Sequence, residues 1–141
     1  MGTNAEIQDI VDTFELLGDW DQRYQYLVEI GERLPAMPAD DKREENRVKE
    51  CMSTVYSAAH PDPQCPGCLR YTGDCDTSII RGVVALLVEL FSAKTPEEIL
   101  ALDVDAMFEG LHLEEHLSPN RHVGVYAIVD KMKGQARMHA A

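Results

Sequence analysis

Residues 79–91, IIRGVVALLVELF, are apolar nearly all the way round a helix. Such a helix must be covered on every side, so it belongs at the centre of a core with other elements packed about it. Its longest apolar run, around Val83–Leu90, is too short to span a bilayer. A chain of 141 residues can bury a core of this kind, and one domain over residues 1–141 is expected.

The elements around that helix are readable from local signals. Thr3 with Glu6 has the form of a capping box, and Ile7, Ile10, Val11, Phe14 and Leu17 follow at helical spacing up to Gly18. Asp19 with Gln22 starts a second helix that Leu34-Pro35 stops. Residues 35–50 form a charged loop. Met52–Ala59 alternates as a strand does, with Thr54, Tyr56 and Ala58 on one side and Val55, Ser57 and Ala59 on the other. The stretch HPDPQCPGC is a turn, and Leu69–Gly73 is β-like, so 52–73 predicts a hairpin with a long tip. Thr95-Pro96-Glu97-Glu98 sets an N-cap, an N1 proline and a capping-box glutamate in order. Asp103 caps a short helix ending near Gly110, and Ser118-Pro119 opens the last one, with Val123, Ala127, Ile128 and Met132 inward. The expected fold is α+β: a small antiparallel sheet of about three strands with helices packed mainly on one face.

Composition narrows the function. Hydrophobic residues make up 45% and charged residues 27%, as in an ordinary globular protein, and the net charge is −12. That balance excludes nucleic acid and anionic membranes as partners, both of which need a basic face, and suits a basic protein partner. The N-terminal stretch MGTNAEIQDIVDTFELL has neither the basic head nor the apolar run of a signal peptide. The expectation is a cytoplasmic chain, in which four cysteines are thiols, metal ligands or catalytic groups before they are a disulfide framework.

Cys51 stands between the charged loop and the first strand. Antiparallel pairing keeps the sum of paired residue numbers constant. If Ala59 lies near Leu69, Met52 lies near Asp76, and Cys51 falls beside Asp74-Cys75-Asp76 at the sheet end away from the tip. A slip of a residue or two leaves it at the same end. Arg47 and Lys49 favour a thiolate there, while Glu50, Asp74 and Asp76 oppose it. A structural thiol under the loop and a reachable, reactive thiol both stay open on spacing alone.

Cys65-Pro66-Gly67-Cys68 has the spacing of a redox or zinc-knuckle pair. It sits at a hairpin tip, though, and not at a helix start where a dipole lowers a thiol pKa. Zinc needs about four ligands, and Cys75 lies roughly 20 Å further along an extended strand. Ligand geometry disfavours a four-cysteine site and leaves an inert thiol pair ahead of a zinc site using Cys65 and Cys68. His112 and His116 are spaced as a helix-face pair, which an ordinary surface pair explains as well. No Walker loop, GxGxxG, GxSxG or HExxH is present.

Five motifs in order resemble one family. Asp19-Trp20-Asp21-Gln22-Arg23-Tyr24, continued by Leu27, Glu29, Gly31 and Leu34-Pro35, is similar to the first signature of the SufE-type cysteine desulfuration proteins. Glu45-Asn46-Arg47-Val48-Lys49-Glu50-Cys51 with Ser53 and Val55 resembles their active-cysteine loop. Asp74-Cys75-Asp76 with Ile79, Ile80, Arg81 and Gly82 resembles their Asp-Ser-Asp turn. Thr95–Ile99 and His116–Arg121 complete the set, over about residues 14–133.

The resemblance implies a single SufE-like domain that accepts persulfide sulfur from a cysteine desulfurase onto Cys51 and stimulates that enzyme. It implies delivery of the sulfur to the scaffold complex for iron–sulfur cluster assembly. The chain would then be a sulfur carrier and desulfurase activator rather than a stand-alone enzyme, with no cofactor of its own, since the pyridoxal phosphate (PLP) belongs to the desulfurase. Asp74 and Arg121 match polar positions near the family's cysteine, where they orient the loop or tune the thiol; a helix-start salt bridge or cap accounts for them equally. The family has Gly before this cysteine and Gln after it, where Glu50 and Met52 stand here, so the loop is expected to be stiffer or differently shaped. Cys75 replaces the family's serine, and a regulatory Cys51–Cys75 disulfide or a shared sulfur is expected. Two alternatives stand beside the relay: an adaptor that binds a desulfurase without carrying sulfur, and a small zinc-binding protein using Cys65/Cys68. Monomer and homodimer both stay open.

Overall fold

A computed structural model describes the backbone of residues 3–50, 54–113 and 119–140, and the side chains of 6–50, 54–113 and 123–139. Among the described residues, six helices, α1 (Thr3–Leu16), α2 (Trp20–Glu32), α3 (Ser78–Phe91), α4 (Pro96–Leu100), α5 (Val104–Leu111) and α6 (Pro119–Ala140), accompany an antiparallel pair, β1 (Val55–Pro61) and β2 (Leu69–Cys75). The fold is α+β.

Among the described residues the sheet has two strands, not about three. Single bridges, Arg47 to Tyr56 and Leu69 to Lys94, stand where further strands would extend it. The register pairs Val55 with Cys75 and Pro61 with Leu69, two residues away from the predicted one. Thr54, not Met52, therefore lies against Asp76: the Asp76 N–H donates to the Thr54 carbonyl at 3.3 Å, and the Thr54 N–H to Asp76 Oδ1 at 3.0 Å. The slip comes from the tip, which closes tightly on the β2 side through Asp62 N–H to Cys68 O at 2.9 Å.

Alternation on β2 divides the sheet cleanly. Leu69, Tyr71, Gly73 and Cys75 are buried, and Arg70, Thr72 and Asp74 face the other way. The first set meets α3, the central helix that its sequence requires, with eight buried residues. A Cβ on Gly73 would stand 2.8 Å from Val84 Cγ1, which shows how near α3 lies to the strand. On this same face the Tyr71 hydroxyl donates to the Met132 carbonyl of α6 at 2.7 Å. Burial pushes the Tyr71 phenol up beyond its ordinary range.

The helix ends follow their local chemistry. The Asp19 side chain accepts from the Gln22 N–H, Asp103 accepts from Ala106 N–H, and Thr95 with Glu98 completes a capping box with Pro96 at its start. On α6 the buried apolar side chains, among those described, are Val125, Ile128, Val129, Met132 and Ala136. Val123, expected inward, is 58% exposed: it lies two residues from buried Val125, on the opposite side of the helix. Among the described residues no helix is long and apolar enough to cross a membrane.

Candidate functional site

The second face of the sheet is covered by the charged segment that leads to Cys51. This segment forms two short 3-10 turns, Ala39–Asp41 and Glu44–Asn46, and polar bonds strap it down. Asp41 is buried, accepts the Thr72 hydroxyl at 2.8 Å and lies 2.9 Å from His60 Nε2. Burial by itself would raise the Asp41 carboxyl; the bonds to His60 and Thr72, aided by the charges of His60 and Arg70, outweigh it and hold the group below the usual carboxylate range.

Asp74, facing the same way as Thr72, pairs with Lys42 at 3.1 Å and with Arg81 Nη1. Here too burial raises the carboxyl, and the two cations lower it further than burial lifts it. Arg81 reaches further: its Nε donates to the Gly31 carbonyl at 2.8 Å and its Nη1 to the Cys75 carbonyl at 3.3 Å. It thereby ties the end of β2 to α2 and to the first turns of α3.

From the helical face, Gln135 of α6 donates to the Ser57 carbonyl at 2.6 Å and to Asn46 Oδ1 at 3.4 Å, while it accepts the buried Ser57 hydroxyl at 3.0 Å. Asn46 Nδ2 donates to the Asp41 carbonyl at 2.9 Å, and Lys131 Nζ donates to the Glu45 carbonyl. Side chains from α6, β1 and β2 thus converge on the eight residues Asp41–Val48.

At the end of the strap Val48 is buried and its N–H donates to the Val55 carbonyl at 2.9 Å. Thr54, bonded to Asp76, and Val55, opposite Cys75, follow residues 51–53. Lys49 and Glu50 are exposed. Cys51 itself lies outside the described residues. Arg47, beside Val48, has its Nε buried and, among the described residues, without a hydrogen-bond acceptor.

Of the other residues expected at the site, Asp74 and Cys75 lie at this same sheet end. Cys75 is a buried cysteine whose sulfur accepts the Thr77 N–H at 3.4 Å. Arg121 lies in the first turn of α6, and its side chain is outside the described residues. Asp74 takes up the salt bridge to the start of α3. Sequence reasoning missed Lys42, Arg81, Asp41 and Gln135 as supports. Arg81 is the one with a signal, since it stands near the start of the helix that follows the Asp74-Cys75-Asp76 turn.

Cys65 and Cys68 are joined to each other as a disulfide, which leaves neither sulfur as the thiolate that zinc requires. His116, the partner of the suggested pair with His112, lies outside the described residues. Among the described residues no group of three or more His, Cys, Asp or Glu could hold a metal ion.

The profile described as "SufE: Fe-S metabolism associated domain" matches residues 8–136. An uncharacterized SufE-like protein of Rhizobium etli is 36% identical over 139 residues, which cover 97% of this chain and 93% of that one. A second from Rhizobium meliloti is 36% identical over 134 residues, covering 94% and 95%. The solution structure of a hypothetical protein from Thermus thermophilus superposes with a TM-score of 0.78 at 23% identity, over 96% of each chain, a likeness of fold.

Proposed function

The chain belongs to the SufE family of Fe–S metabolism associated domains, and we propose that within that role it is a sulfur acceptor working through Cys51. The donor is the persulfide of a PLP-dependent cysteine desulfurase. The Cys51 thiolate attacks the outer sulfur of that persulfide; the donor's sulfur–sulfur bond breaks, a new one forms on Cys51, and the donor cysteine leaves as a thiolate. No net oxidation occurs. The sulfur then passes to the scaffold complex of cluster assembly, and the PLP stays with the desulfurase.

One observation carries this reading. Val48 and Val55, on either side of the segment bearing Cys51, are bonded to each other, and Lys49 and Glu50, which lead to the cysteine, are exposed. A thiol that must meet a partner's persulfide is served by fixed flanks and an exposed approach. Arg47, four residues before Cys51, carries a positive charge of the kind that favours an anionic sulfur. Asp74, held as a carboxylate by Lys42 and Arg81, orients the sheet end beside it.

Incubating the protein with its desulfurase and cysteine is expected to add one sulfur mass to the Cys51 peptide, and Cys51→Ser to abolish the gain while Cys65→Ser leaves it intact. A Cys51→Ser variant that still stimulates the desulfurase as well as the wild type would make the protein an adaptor. Cys75 pairs with Val55, four residues past Cys51. On oxidation by a small-molecule disulfide a peptide linked through Cys51 and Cys75 is expected; if none forms, Cys75 has no redox share in the site.

A further inference from the structure

The hairpin tip carries chemistry that the sulfur relay does not use. Cys65, Pro66, Gly67 and Cys68 form one turn, with the Cys68 N–H donating to the Cys65 carbonyl at 2.9 Å. Proline presets the first corner and Gly67, at φ +82°, takes the left-handed second one, as a type II turn requires. Asp62 braces it from below: the Cys65 N–H donates to the Asp62 carbonyl at 3.2 Å, the Gln64 N–H to Asp62 Oδ1 at 2.9 Å, and the Asp62 N–H to the Cys68 carbonyl at 2.9 Å.

None of these bonds passes through sulfur. The main chain alone holds the two Cα atoms 5.4 Å apart, within the span a disulfide accepts, so the sulfurs stay neighbours whether oxidised or reduced. The loop closed is only three residues in separation, so the bond restrains little of the unfolded chain. Stapling the fold is therefore a weak reason for it. The two residues also differ in exposure, since Cys68 is buried at 6% and Cys65 is half-buried.

The geometry points to a reversible redox pair at this tip, in which Cys65 exchanges with small-molecule thiols and disulfides and Cys68 resolves the product. With oxidised glutathione, the Cys65 thiolate attacks one sulfur, forms a mixed disulfide and releases one glutathione. The Cys68 thiolate then attacks the Cys65 sulfur, forms the internal bond and releases the second. The pair loses two electrons and the glutathione disulfide gains them; a small-molecule thiol in excess runs the sequence backwards. The tip pair at Pro61–Leu69 is six residue steps from Val55–Cys75, roughly 20 Å along the strands, so this exchange does not depend on Cys51.

Full-length protein equilibrated in glutathione buffers from reducing to oxidising, then quenched and analysed by peptide mass spectrometry, tests the assignment. The wild-type tip peptide is expected to cycle between dithiol and disulfide. In a time course with oxidised glutathione, Cys68→Ser should take up glutathione on Cys65 roughly tenfold faster than Cys65→Ser takes it up on Cys68, because access governs the rate of attack. A tip that stays in one state across the whole series, or two variants that take up glutathione at the same rate, overturns the proposal. The readout is on the tip peptide alone, so the result stands whatever Cys51 does.

Discussion

Gly82 of α3 lies against Leu27 of α2 so closely that a Cβ on Gly82 would stand 2.2 Å from the Leu27 carbonyl oxygen. Gly31 answers from the other helix, where a Cβ would meet the Gly82 nitrogen at 2.9 Å. The two helices cross backbone to backbone at this point, and Arg81, one residue away, uses the proximity to bond the Gly31 carbonyl.

Gly82→Ala is expected to destabilise the protein by about 3 kcal/mol, at the upper end of overpacking costs, because the obstacle is main chain and cannot swing aside. In a chain of this size that lowers Tm by roughly 10 °C. Gly134→Ala, in α6 with nothing within 4 Å of the added methyl, is the control and should raise stability by up to about 1 kcal/mol. Urea and thermal unfolding read both. Equal stability of Gly82→Ala and wild type would mean that the helices do not cross so tightly.

Asp41 and Asp74 make the strap sensitive to acid. Both carboxyls are held below their ordinary value in the folded protein, so each contributes stability that is complete above the unfolded value near pH ~4 and is lost as pH falls through the folded value. Asp41→Asn is expected to cost about 1–3 kcal/mol at neutral pH, since it weakens bonds to His60 and Thr72 in a buried place. That penalty should shrink as wild-type Asp41 is itself protonated in acid. Urea unfolding of both proteins along a pH series decides it, and a penalty that does not change with pH would contradict the ionised, bonded Asp41.

How much of this was legible depended on the range of the interaction. Thr95 with Glu98, Asp19 with Gln22 and Asp103 with Ala106 bond three residues away, and each cap could be read from its own few residues. The apolar run of α3 announced its place for the same reason. The strap could not be read this way: Asp41 bonds Thr72 across 31 residues and Gln135 bonds Asn46 across 89, so a dense charged stretch looked like plain loop. Apolar character alone points Val123 inward, and only the register of α6 against its neighbours distinguishes it from Val125. Asp74 and Cys75 were placed at the right sheet end, because a two-residue slip in register moves partners along a hairpin without exchanging its ends.

Gln135 is the residue through which α6 holds both the sheet and the strap before Cys51. Removing its amide in Gln135→Ala leaves the Ser57 hydroxyl, which is 1% exposed, without its acceptor, and releases Asn46, which in turn holds the Asp41 carbonyl. A cost of about 1–2 kcal/mol is expected from the buried hydroxyl. The strap should loosen beyond that global loss, because polar side-chain bonds hold it to the sheet, with a strand-like bridge only at Arg47 and Val48. Hydrogen exchange at the Val48 amide, bonded to Val55, is therefore expected to speed up more than exchange at the Tyr71 amide in the middle of β2. Trypsin should also cut faster after Lys42 or Arg43. If Val48 and Tyr71 accelerate by the same factor, Gln135 supports the fold as a whole and gives the cysteine-bearing segment no separate hold.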